Sequence, residues 1–219
     1  PTTWTVLGLG ISNNVGSDWK FDALIHGGND TKGGTIRSGR SSYGIDLFTV
    51  NSDGNRFNQN NSSFAATGRS QYSGVDNVKL GGSLQYQSDM DSTTDGGQSG
   101  VLGEAHAIYN KGGFQFIALG TAWNISDVRS EADNQWGYYL EPSYSWDTAI
   151  GKVGVFGRFS QLKYAKLSGD TSATESTEYN LGGNYWINEN LVVKADYLNQ
   201  DFKNKDTKKS INLGFGWYY

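Results

Sequence analysis

Ser210–Tyr219 reads S-I-N-L-G-F-G-W-Y-Y, and its alternate positions are made of different material. Successive side chains of a strand point to opposite faces, so Ile211, Leu213, Phe215, Trp217 and Tyr219 share one face. Ser210, Asn212, Gly214, Gly216 and Tyr218 share the other. One face is apolar and ends in aromatic rings; the other is small and polar. A strand with hydrocarbon on one side and water on the other has this composition. A soluble sandwich strand alternates too, so the decision rests on how many segments repeat the pattern.

Ten more segments repeat it, separated by clusters of Gly, Asn, Asp and Ser. They are Trp4–Ile11, Asp18–His26, Ser62–Tyr72, Val78–Gln87, Val101–Tyr109, Gln115–Trp123, Gly137–Trp146, Lys152–Lys163, Tyr179–Ile187 and Leu191–Asp201. In Asp18–His26 the apolar face is Trp19, Phe21, Ala23 and Ile25, set against Lys20, Asp22, Leu24 and His26. In Ser62–Tyr72 it is Phe64, Ala66, Gly68 and Tyr72, against Thr67, Arg69 and Gln71. Gln115–Trp123 is apolar on both faces, and Ile117, Leu119 and Trp123 are assigned to the hydrocarbon side. Tyr43–Val50 alternates weakly and is the candidate for a twelfth strand. Each segment runs roughly ten residues, the length a tilted strand needs to cross a bilayer.

The connections are sorted. Ser12–Ser17, Ser73–Asn77, Asn110–Gly113, Asp147–Gly151 and Asn188–Asn190 are short, and they alternate with longer ones. The longer set is Gly27–Asn61, Ser88–Gly100, Asn124–Trp136, Tyr164–Glu178 and Phe202–Lys209. Tight turns on one side and long polar loops on the other belong to outer-membrane barrels. The expected fold is therefore all-β: a transmembrane antiparallel β-barrel of eleven or twelve strands, one domain over residues 1–219 with a long loop at 27–61.

Composition agrees. Hydrophobic residues make up only 36% and mean hydropathy is −0.56, which alone would suggest disorder, yet aromatics reach 14%. Disordered chains are poor in aromatic and β-branched residues. In a barrel only alternate residues need be apolar, which reconciles the two values. The absence of Cys excludes disulfides, thiolate metal sites and a Cys nucleophile. No apolar run approaches the roughly 20 residues of a membrane helix. The opening P-T-T-W-T-V lacks a basic start and an apolar run, so the sequence is read as a mature form without a signal peptide. A net charge of −4 argues against nucleic acid as a partner.

With the strands placed, several motifs resemble bacterial outer-membrane porins. L-G-G-N-Y-W-I-N-E-N-L-V-V-K-A-D-Y-L-N-Q-D-F (Leu181–Phe202) and I-N-L-G-F-G-W-Y-Y (Ile211–Tyr219) are similar to the C-terminal end of that family, in particular its phosphate-selective group. D-W-K-F-D-A-L-I-H-G-G (Asp18–Gly28), L-Q-Y-Q-S-D (Leu84–Asp89) and Y-L-E-P-S-Y (Tyr139–Tyr144) extend the resemblance over most of the chain. It implies a passive channel in the bacterial outer membrane, general or anion-preferring, of about sixteen strands and usually trimeric. Lipid and lipopolysaccharide would be its surroundings, and small hydrophilic solutes or anions its cargo. Eleven strands are an odd number, whereas bacterial single-chain barrels have even ones. Either Tyr43–Val50 is a further strand, or this is the C-terminal portion of a larger barrel whose N-terminal strands a second chain supplies. On the second reading Trp4–Ile11 and Ser210–Tyr219 are not neighbours.

Nine charged residues fall at water-facing positions: Lys20, Asp22, Arg69, Lys79, Glu104, Glu141, Arg158, Lys194 and Asp196. On the lipid face a Lys or Arg at mid-bilayer costs about 2–4 kcal/mol, which constrains their parity. They either pair and stabilise the wall or form a charged lane that sets ion preference, as charge rings do in channels. With near-balanced signs inside, and Asp89, Asp91 and Asp95 unopposed in Ser88–Gly100, weak selectivity toward anions is expected. In loop 27–61, Lys32, Arg37, Arg40 and Arg56 are candidates for a constriction, with surface decoration as the alternative.

Enzyme readings find no support. His26 and His106 lack metal-ligand spacing and a carboxylate-rich setting. G-L-G-I-S (Gly8–Ser12) is a broken dinucleotide fingerprint without a βα context. No catalytic residue, metal or cofactor is expected. The alternative to a channel is a structural or adhesive outer-membrane barrel, with surface-binding loops and a plugged lumen.

Overall fold

The computed structural model describes residues 8–30, 40–41, 64–90, 98–126, 132–165, 173–203 and 205–217. Eleven strands form one antiparallel sheet in which each strand pairs only with its neighbours in sequence. They are β1 (Gly8–Val15), β2 (Trp19–Gly27), β5 (Phe64–Val75), β6 (Val78–Gln87), β7 (Gly100–Lys111) and β8 (Phe114–Ile125). The sheet continues through β9 (Asn134–Thr148), β10 (Gly151–Tyr164), β11 (Thr174–Asn188), β12 (Leu191–Phe202) and β13 (Lys205–Trp217). A separate two-residue ladder joins β3 (Asn29–Asp30) to β4 (Arg40–Ser41). Ten of the eleven segments read from alternation fall on strands of the sheet, whereas Trp4–Ile11 is matched only over Gly8–Ile11. Trp4–Leu7 lies outside the described residues, and the expected turn Ser12–Ser17 is strand through Val15, where Ser12 pairs with Asp22 and Val15 with Trp19. Tyr43–Val50 lies outside the described residues.

On one side of the sheet the strands meet in turns of two or three residues: 16–18, 76–77, 112–113, 149–150 and 189–190. Gly16 and Gly112 take positive φ in these turns, as does Asn77, one of the few residue types that tolerates it. The opposite side carries connections 28–63, 88–99, 126–133 and 165–173. Three of the expected long loops are shorter: Asn134–Trp136 and Thr174–Glu178 are strand, and Phe202–Lys209 departs most. Lys205 already pairs with Phe202 and Lys208 with Gln200, so most of that polar run is strand. Lys208 and Lys209 end no strand because a β-edge tolerates long charged side chains.

Register fixes which residues share a face. Asp22, Arg69, Ser83, Glu104 and Thr121 stand side by side across five strands. Leu9, Ile11, Ile25, Leu84, Leu140, Leu181 and Leu213 belong to the other face and are exposed. Over its middle the sheet thus has one charged face and one apolar face, and Lys163 and Glu175 share the apolar parity only near the long connections. The expectation for Gln115–Trp123 fails here. Ile117 stands opposite Glu141, and Leu119 opposite His106 and Tyr139, which puts both on the charged face. Trp123 shares that parity and is buried. Phe114, Phe116, Ala118 and Ala122 take the apolar face instead, beside Tyr144, Pro142, Leu140 and Trp136.

Neighbouring strands are staggered in one direction. The row that starts at Ile11, midway along β1, passes Ala23, Gly68, Leu84, Gly103, Ala122, Trp136 and Lys163, and reaches β11 at Glu175, its second residue. Between β9 and β10 the ladder skips Glu141 and Pro142, and proline has no N–H to contribute.

The long connections meet in a small core at their end of the charged face. Met90, Trp123, Ile125, Ala132 and Ala165 are buried together, with Leu102 and Ala173 against them. Met90, from the β6–β7 connection, is completely buried. Backbone bonds Met90 N–H to Gln98 O (2.7 Å) and Ser126 N–H to Ser99 O (2.9 Å) tie this connection to the next. Gln135 Oε1 accepts from the Ala165 N–H at 3.2 Å and ties in the third. Among the described residues β1 and β13 are the two edges of the sheet and are not paired with one another.

Candidate functional site

The charged face gathers the chemistry. All nine sequence-predicted residues stand on it, because their register partners share one parity from β2 to β12. Lys20 opposes Gln71, Lys79 opposes Ile108, Arg158 opposes Asn180, and Lys194 opposes Asn184. Of the loop candidates, Lys32, Arg37 and Arg56 lie outside the described residues, and Arg40 is placed only by its backbone pairing with Asp30.

Neighbours on this face are matched in charge. Arg69 donates to Asp22 Oδ2 through Nε (3.0 Å) and Nη2 (2.7 Å), and Lys20 Nζ lies 3.8 Å from Asp22 Oδ1. Arg158 pairs with Glu141, and its guanidinium stands 4.8 Å from the Tyr139 ring centroid. Glu141 is the more buried partner of this pair. Asp196 has amides instead of a cation: Asn180 Nδ2 (3.1 Å) and Asn212 Nδ2 (2.8 Å) both donate to its Oδ1. Lys79 and Lys194 have no ion-pair partner among the described residues.

His106 is not isolated, contrary to the reading of its sequence surroundings. Its Nδ1 lies 2.6 Å from Glu104 Oε1, while Ser83 Oγ donates to Glu104 Oε2 at 3.1 Å. The signal was present as E-A-H, since residues two apart on a strand share a face. No third metal-ligating side chain joins this pair among the described residues. His26 bonds Thr67 Oγ1 at 2.9 Å at the loop end. Lys152, 5.8 Å from the Trp186 ring centroid, is a further cation absent from the sequence-derived set.

Near the short turns these groups surround a cavity of about 500 Å³, lined by Gln115, Glu141, Arg158, Trp186, Lys194 and Asp196 among others. It holds both signs of charge, aromatic surface and neutral donors. Such a wall can replace part of the hydration of small ions and polar solutes without holding one sign tightly. A larger hollow of about 1300 Å³ is set mainly into the apolar face, where Gly68, Gly82, Gly103 and Gly120 form a low floor below Leu84 and Trp136. Asp22, Arg69 and Glu104 of the charged face also border it. No protein-family model matches the chain, and no curated protein sequence matches it either.

Proposed function

We propose that this sheet is wall from a transmembrane β-barrel of the bacterial outer membrane, and that its charged face lines a water-filled channel for passive diffusion of small hydrophilic solutes and ions. One observation carries the reading. Every charged residue of the predicted set, on seven strands between β2 and β12, is on one face, while large apolar side chains stand exposed on the other. A soluble protein rarely exposes an apolar patch above a few hundred Å². The one-directional stagger of the rows is what a tilted, closing barrel requires. Lipid and lipopolysaccharide would cover the apolar face. Homotrimerisation rests on the family resemblance alone, and that resemblance does not supply a preference for phosphate.

The test is direct. The protein should need detergent, should migrate differently in gels when heated and unheated, and should give unitary current steps in planar bilayers. A species that is monodisperse without detergent would overturn the reading. A second reading has one observation behind it. The core around Met90 and Trp123 brings three connections together over one end of the charged face, as a plugged barrel would. Such a barrel would pass all but the conductance test.

Selectivity should be weak, with a slight preference for anions. Five cations of the predicted set stand against four anions on this face: Arg69 and Arg158 are paired with Asp22 and Glu141, while Lys79 and Lys194, like Asp196, have no ion-pair partner among the described residues. Lys79→Gln with Lys194→Gln is expected to move the reversal potential in a salt gradient toward cations. Arg158→Gln should do the same by leaving Glu141 without its partner. A reversal potential that both variants leave unchanged would mean that these groups do not face the permeating ions.

A further inference from the structure

We infer that the cavity beside β10, β11 and β12 is a stacking site for a pyranose sugar, with Trp186 and Phe156 as its platforms and Asn184 and Asp196 as its hydroxyl partners. The inference deepens the channel reading, on which it rests for access to the site, by naming a class of neutral solute.

The rings carry the argument. Trp186 and Phe156 are aromatic residues on the charged face, and they do not stand upright on it. A methyl group added at Gly154 would meet Trp186 Cζ3 at 2.8 Å and Cη2 at 3.0 Å. One added at Gly182 would meet Phe156 Cε1 at 2.5 Å and Cζ at 2.6 Å. Each ring is therefore laid across a glycine of the adjacent strand, on β10 for Trp186 and on β11 for Phe156. A ring placed this way hides one face against the backbone and turns the other toward the cavity that both residues line. Gly154 is level with Asn184, two residues along β11 from Gly182. The two platforms are thus about 7 Å apart along the strands.

Unused hydrogen-bonding groups stand between and beside them. Asn184, level with Gly154 and Lys194, has no hydrogen-bond partner among the described residues. Asp196 is level with Gly182; its Oδ1 accepts from Asn180 and Asn212, which leaves Oδ2 for a ligand. Charge around the cavity is balanced. Lys152, Arg158 and Lys194 stand against Asp147, Glu141 and Asp196, with Asp147 opposite Lys152 and Arg158 paired to Glu141.

These parts select a class of ligand. The C–H bonds on the flat face of a pyranose are weakly positive and poorly hydrated, so they complement the negative face of an aromatic ring. Its equatorial hydroxyls both donate and accept, as an amide beside a carboxylate requires. A free anion or cation would meet its own sign here along with the opposite one, whereas a neutral polyol meets only hydrogen-bonding partners. The volume of about 500 Å³ lies in the range of small-molecule sites, about 300–1,000 Å³.

The experiment uses the whole protein in a detergent without a sugar headgroup, and reads binding of glucose, maltotriose, sorbitol and inorganic phosphate by saturation-transfer NMR. Sorbitol carries hydroxyls but no ring face. Maltotriose should bind in the millimolar range, more tightly than glucose, with transfer strongest to its ring C–H protons, and sorbitol should bind least. Trp186→Ala and Phe156→Ala should each weaken maltotriose binding by about tenfold, and Trp186→Phe should restore most of the loss. If the alanine variants lose the heat-dependent gel shift of the folded protein, Trp186→Phe and Asn184→Ala carry the test, the second with an expected loss of severalfold. No maltotriose binding, sorbitol equal to glucose, phosphate displacing the sugar, or affinity unmoved by these variants would each overturn the inference. Current steps are read separately in planar bilayers. Sugar binding without them would sink the channel reading and leave the site standing; steps without sugar binding would do the reverse.

Discussion

Leu181→Arg is expected to lower the stability of the protein in lipid by about 2–4 kcal/mol, while Asn180→Arg, one residue away, leaves it nearly unchanged. Leu181 is midway along β11 on the apolar face, between Gly157 and Tyr197. A guanidinium there would have to be carried into hydrocarbon. Asn180 faces the other way and donates to Asp196, a carboxylate with no cation among its described partners. Arginine at that position gains a counter-ion and adds positive charge to the channel wall. Denaturant unfolding in detergent or lipid should separate the two variants, and only Asn180→Arg should shift selectivity toward anions. Equal tolerance at both positions would remove the case for hydrocarbon on the apolar face.

Trp123→Ala should cost about 3–5 kcal/mol, the range for truncating a large buried aromatic. Its ring fills the centre of the only buried apolar cluster among the described residues, against Met90. Gly100 completes the fit: an added Cβ there would crowd both Trp123 and Met90. The loss falls on packing that unites three connections rather than on the strand ladder. The variant should therefore keep its strand content while its gel-shift temperature falls. If these connections narrow the channel, unitary conductance should rise; if they plug it, conductance should appear where there was none. A variant as heat-resistant as the parent would show that the cluster does not hold the connections down.

Trp123 also marks where sequence reading stops. Alternation identified β2, β6 and β13 because their two faces differ in polarity, and it placed all nine charged residues on a common face. It failed in β8, where Ile117, Leu119 and Trp123 stand on the charged face although they are apolar. Part of their environment is supplied by other segments: Met90 reaches Trp123 from another connection, and no local pattern announces that. The stretch 205–209 was misread for the converse reason, being charged enough to look like loop while pairing with β12. The Lys152–Trp186 contact and the amide cradle of Asp196 depend on cross-strand register, which alternation does not specify.

Pairing of every strand with its sequence neighbour has a bearing on how the molecule assembles. Nine of the ten joints of the sheet are hairpins closed by short or moderate connections, and each can form before its neighbours arrive. The tenth joins β2 to β5 across residues 28–63. Each doubling of a flexible loop adds about 0.6 kcal/mol of closure entropy, so this joint starts roughly 2 kcal/mol behind a tight turn. Zippering should run from the β12–β13 end toward β5, with the β1–β2 hairpin docking last. Pulse-labelled amides of β1 and β2 would then become protected later than those of β10–β12, and any seam that depends on β1 would be the final event.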